Sequence, residues 1–94
     1  QQRAEAKASR QALLAERRKI SKEIEKLDKQ LAKLQGEKGE LDAQFAAPDF
    51  YATVDRAQSE EMHKRAAELG EQIDAIELQW LELHEALDAL PQPD

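Results

Sequence analysis

Cysteine is absent from the 94 residues, which excludes a disulfide framework and any thiolate metal site and is compatible with a reducing cytosol. Aromatic residues are only 4% of the chain while charged residues are 36%, so a thick globular core cannot be filled. No run of some eighteen apolar residues exists to span a membrane. The start, Gln1-Gln2-Arg3-Ala4-Glu5, lacks the apolar stretch of a secretory signal. It also begins without Met and with helical character, and reads as a piece cut from a longer protein. Three glycines and three prolines leave few places for turns. A chain of this length makes one domain at most.

Two ladders of apolar residues dominate the pattern that remains. Met62, Ala66, Leu69, Ile73, Ile76, Trp80, Leu83, Leu87 and Leu90 step at spacings of four and three. Leu13, Ile20, Leu27, Leu34 and Leu41 fall seven apart, with Arg17, Ile24, Leu31, Lys38 and Phe45 at the companion seam positions. A stripe that recurs every 3.5 residues on average is a coiled-coil seam, needing one apolar face per helix. The expected fold is therefore all-α, a two-helix antiparallel coiled-coil hairpin with an aromatic-capped turn.

Residues 1–12 form a charged helical lead-in, and residues 13–90 the hairpin. Its first helix spans about 13–46, its turn 47–53 and its second helix about 54–90, with a tail at 91–94. Pro48 stops the first helix, because the residue before a proline is pushed out of helical geometry. Asp49, Thr53 and Asp55 are credible N-caps for the second helix, and Pro91 and Pro93 close it. Phe50, Tyr51 and Val54 are expected to fold over the open end of the seam. The preferred register sets Phe45 against Met62, Leu34 against Ile73, Leu27 against Trp80 and Ile20 against Leu87. A slide by one heptad would waste an apolar layer by placing Leu41 opposite Ser59.

In that register Lys38 lies in the seam opposite Leu69, with Gly36, Gly39 and Gly70 at nearly the same height. A glycine costs a helix about 1 kcal/mol relative to alanine. The layer is either a weak one whose lysine snorkels to water or a hinge for the tip.

Charge divides the chain sharply. Residues 1–38 hold eleven Lys/Arg against six Asp/Glu, and residues 39–94 hold three against fourteen. Oppositely charged arms attract, which is ordinary coiled-coil specificity. Within the basic arm Lys19, Lys22, Lys26, Lys29 and Lys33 step three, four, three, four along the outer face over about 21 Å, and Arg17 and Arg18 extend the row. Such a row matches the footprint expected for phosphate backbones, although Glu23, Glu25 and Asp28 stand beside it and it also suits a solvated face. No aromatic is interleaved, so base stacking is not indicated and contact would be non-specific and salt-sensitive. On the second helix, Leu78 and Leu81 fall on the outside, where a free hairpin should be polar. They are candidates for docking residues 1–12 folded back or neighbouring domains of the parent protein, or for self-association.

Catalytic chemistry is not indicated. Gly36-Glu37-Lys38-Gly39 lies inside a helix and lacks the spacing of a phosphate-binding loop. His63 and His84 are 21 residues apart on one helix, about 32 Å, and cannot share a metal. The chain is read as a non-enzyme with no cofactor of its own.

The set Leu27-x-x-x-Leu31, Ala47-Pro48-Asp49-Phe50-Tyr51 and Gln79-Trp80-Leu81-Glu82 resembles the C-terminal coiled-coil domain of ABC-F proteins. These are soluble ABC ATPases with two tandem nucleotide-binding domains and no membrane domain. Ala15-Glu16-Arg17-Arg18-Lys19 is similar to the basic linker into that domain, and the likeness covers about residues 10–90. The resemblance implies a cytoplasmic parent ATPase that binds ATP and Mg elsewhere in its chain. It also implies partners among DNA, ribosomal RNA or the ribosome, and the parent ATPase domains. The contact surface it implies is Arg17, Arg18 and the five lysines. Apart from the resemblance, the hairpin is expected to be monomeric and without membrane contact. The acidic second helix is a departure, since it gives the domain a net charge of −6.

Overall fold

The computed structural model describes residues 2–92, and every element among them is helical. Helix α1 spans Gln2–Ala46, α2 spans Phe50–Thr53 and α3 spans Arg56–Ala89. The expected two helices are thus three, because the connection contains a short helix of its own. Gln1, Pro93 and Asp94, and with them Pro93 as a closing residue, lie outside the described residues.

Helix α1 ends where Pro48 forbids its continuation. The Ala47 amide donates back to the Gln44 carbonyl at 3.1 Å, and the Phe50 amide to the Ala47 carbonyl at 3.1 Å. Four residues then coil as α2, with the Thr53 amide and hydroxyl both donating to the Asp49 carbonyl at 3.0 Å. Of the three candidate N-caps, Asp55 starts α3: its backbone is extended and its carboxylate accepts from the Gln58 amide at 3.1 Å. Asp49 precedes α2 without a side-chain cap. At the far end Leu90 is extended, and Pro91 comes next.

The two long helices run antiparallel, and contacts along them fix the register. Phe45 stacks on His63, the Lys38 stem lies beside Gly70, Trp80 reaches Asp28, and Arg17 reaches Leu87. These contacts agree with Phe45 lying at the level of Met62 and Leu27 at that of Trp80. The molecule is a rod of 76 × 15 × 14 Å, set by the length of α1.

Its apolar interior is one side chain thick. Leu69 is fully enclosed, and Ile20, Ile24 and Ile73 are buried. Most other seam residues, among them Leu27, Leu31, Leu34, Ile76 and Leu83, are half-buried, as expected when only two helices share the work.

Aromatic rings close the open end of the rod. Phe50 is 4% exposed and meets Phe45 edge-on at 5.3 Å. The His63 ring stacks on Phe45 at 3.9 Å, and the Tyr51 hydroxyl shares a 3.1 Å hydrogen bond with its Nε2. Tyr51 joins the plug only at its rim, its ring meeting Phe50 edge-on at 4.9 Å. It is 67% exposed, because α2 turns Phe50 inward and its neighbour outward.

Candidate nucleic-acid interface

The lysine row is built by helical spacing alone. Lys19, Lys22, Lys26, Lys29 and Lys33 are all exposed, as is Arg18. Among the described residues the ion pairs are made by Lys38, Arg56 and Arg65, and none involves a lysine of the row. The acids beside the row do not neutralise it by contact. Asp28 is engaged across the seam, where its carboxylate accepts a 2.7 Å hydrogen bond from the Trp80 indole.

Arg17 leaves the row. It occupies a seam position where α3 runs out, and its guanidinium donates to the Leu87 carbonyl at 3.4 Å and the Leu90 carbonyl at 3.5 Å. The last carbonyls of a helix lack intrahelical partners and carry partial negative charge, so a cation there both caps and neutralises them. Spacing alone groups Arg17 with Arg18, but a seam position opposite a helix end has a partner waiting. That partner was legible in the register, since Ile20 faces Leu87 one turn away.

Lys38 also belongs to the seam rather than the row. Its stem passes 3.7 Å from where a Cβ on Gly70 would stand, and its ammonium donates to Asp42 at 2.8 Å. This is the snorkelling arrangement. One turn away, Arg65 forms a two-pronged pair with Glu37 across the helices, at 2.9 and 3.1 Å. Those hydrogen bonds, then the charges of Arg65 and Lys33, hold the Glu37 carboxyl below the usual carboxylate range. The Glu37 hydrogen bond likewise pushes the Arg65 guanidinium up. This pair is not legible in the sequence, because Arg65 and Glu37 flank the seam and have no apolar signal.

Leu78 and Leu81 are 57% and 49% exposed on the side of α3 turned away from α1. Trp80 is not part of that patch: its indole faces Asp28, and its ring packs at 4.0 Å from His84. Both histidines are therefore packed on aromatic rings beside the seam.

Two open clefts run along one side of the seam. One is lined by Glu23, Lys26, Leu27, Gln79, Glu82 and Leu83, the other by Lys33, Leu34, Glu37, Arg65, Gln72 and Ile76. Among the described residues no group of His, Asp and Glu is placed to hold a metal ion, and no helix is long and apolar enough to cross a membrane.

A family model described as ABC transporter C-terminal domain matches residues 15–85. Comparisons with curated proteins and with solved structures found no match.

Proposed function

The chain belongs to the ABC transporter C-terminal domain family and so is an accessory domain of an ABC protein, and on that premise we propose that it contacts nucleic acid through the outer face of α1. The observation that carries this reading is the row of five exposed lysines, none of them ion-paired among the described residues. Their ammonium groups repel one another along about 21 Å of helix. A row of phosphates relieves that repulsion and releases its own condensed counterions. The binding residues in this reading are Arg18, Lys19, Lys22, Lys26, Lys29 and Lys33. Arg17 supports the row by fixing the end of α3 beside it. With no aromatic among the lysines, the contact is to backbone and shape rather than to base edges.

The parent in this reading is an ABC-F type ATPase of the cytoplasm, acting at DNA or on ribosomal RNA. ATP and Mg bind in its nucleotide-binding domains, and this chain serves as a monomeric antiparallel coiled-coil arm. The acidic outer face of α3 supports an orienting role, since it repels the same polyanion and leaves only one side of the rod available.

Fluorescence anisotropy of the chain with labelled duplex DNA and with structured RNA, across a salt series, tests the reading. Binding should weaken steeply with salt, by a log–log slope of about −0.9 per phosphate engaged on duplex DNA. Lys22→Glu with Lys26→Glu and Lys29→Glu should abolish it while circular dichroism stays unchanged. Unchanged binding by that triple variant would remove the row from consideration.

A further inference from the structure

On the back of α3, steps of three and four pick out Glu71, Asp74, Leu78, Leu81, Glu85 and Asp88, all exposed. The stripe is symmetric about its midpoint: two carboxylates, two leucines, two carboxylates. None of its four acids makes an ion pair among the described residues. Nor does the helix offer them one, because residues 66–90 hold seven carboxylates and no lysine or arginine. Two large apolar side chains thus sit exposed in the middle of an uncompensated acidic frame.

Three kinds of occupant can be weighed by charge and apolar content. Nucleic acid is repelled by the frame. A second copy's α3, laid antiparallel, would bring the leucines together but would also set Asp74 against Glu85 and Glu71 against Asp88 at both ends. Four like-charged pairs oppose that contact. A second copy's α1 offers lysines at the right spacing, but the row from Lys19 to Lys33 has no apolar residue at its centre to seat against the leucines. The surface that fits has cations at both ends and an apolar pair between them.

We propose that this stripe docks a basic amphipathic helix of a protein partner. Two apolar side chains of that helix, three residues apart, pack on Leu78 and Leu81. Lysine or arginine residues one and two turns away on either side pair with Asp74, Glu71, Glu85 and Asp88. The leucines supply the desolvated centre that carries affinity, and the carboxylates supply partner choice and approach rate. The site lies on the opposite helix from the lysine row and does not depend on it.

The probe is a synthetic helical peptide. It carries leucine at the places corresponding to Leu78 and Leu81, and lysine at those corresponding to Glu71, Asp74, Glu85 and Asp88. Its binding to the whole chain is monitored by amide chemical shifts and by anisotropy. The expected result is binding that weakens with salt, with shifts concentrated on residues 71–88. Leu78→Ser with Leu81→Ser should weaken it at least about tenfold, a loss of about 1.4 kcal/mol, with helicity unchanged. Asp74→Asn with Glu85→Gln, which keeps the leucines, should weaken binding and flatten its salt dependence. A second peptide with serine in place of its leucines should bind at least about tenfold more weakly. The proposal is overturned if the first peptide does not bind, if the serine peptide binds equally well, or if the shifts fall in the seam clefts. Sedimentation that shows a dimer of the chain, lost in the double leucine variant, would assign the leucines to a second copy and likewise overturn it.

Discussion

At the scale of single residues, the contacts that matter are those crossing from one helix to the other, because a rod one side chain thick has little else. The Glu37–Arg65 pair is one. Glu37 is more acidic in the folded chain than an ordinary carboxyl, owing first to the Arg65 hydrogen bonds. A depressed folded value means that the pair's contribution is complete above the ordinary carboxylate range. It is lost as pH falls through the folded value of Glu37. Thermal unfolding measured from neutral pH into acid should therefore show a loss that Glu37→Gln lacks. Equal acid sensitivity in both proteins would show that other carboxylates dominate. The Trp80–Asp28 hydrogen bond is a second such contact. Trp80→Phe keeps a ring in the seam and removes the indole donor, which should cost about 1 kcal/mol, or about 4–8 °C in Tm for a chain of this size. The glycines are a contrasting case. A Cβ at Gly36 or Gly39 would meet nothing within 4 Å, and neither glycine has positive φ. Gly36→Ala and Gly39→Ala should each stabilise by up to about 1 kcal/mol, read as a raised Tm.

At the scale of elements, the ends of helices decide what the interiors cannot. The heptad ladders are enough to place α1 and α3 antiparallel and to choose between two registers, because sliding by one heptad would put a serine where an apolar residue is needed. The connection is only partly legible. Its aromatics mark it as a cap, but four residues after a proline carry too little periodicity to announce a helix. Without α2 in view, nothing separates Tyr51 from Phe50, and both read as inward. The lysine row is legible for the same reason as the seam, since both are matters of helical spacing. Of the pairings at its edges, that of Arg17 with the end of α3 follows from the register, whereas the hydrogen bond of Asp28 with Trp80, fifty-two residues away, has no signal in the spacing. Phe50 is the element-level keystone, being 4% exposed under the open end of the seam. Phe50→Ala should cost about 3–5 kcal/mol, read by denaturant unfolding, a large fraction of what so thin a molecule possesses.

At the scale of the whole molecule, a rod 76 Å long and about 15 Å across cannot share its stability evenly. Each level is held by the few side chains that cross it, so local opening is governed by local burial. The fully or nearly enclosed residues fall at separate heights: Ile20 and Ile24 toward the open ends of the arms, Leu69 and Ile73 in the middle, Phe50 under the tip. Beyond Arg17 the last turn of α3 has ended, and residues 2–12 of α1 continue alone, all of them exposed. An isolated helix shorter than about 12–15 residues is marginal in water, so that stretch is helical only as an extension of the paired segment. Native-state hydrogen exchange should therefore rise in protection from residue 2 to a plateau near Ile20 and be strongest around Ile20–Ile24 and Leu69–Ile73. Arg17→Ala should lower protection at Leu87–Leu90, where its guanidinium now holds two carbonyls, and leave the middle of the rod unchanged. Protection already high at residues 2–12 would mean that those residues are covered by a surface other than α3, and the rod would then have to be understood as one part of a larger bundle.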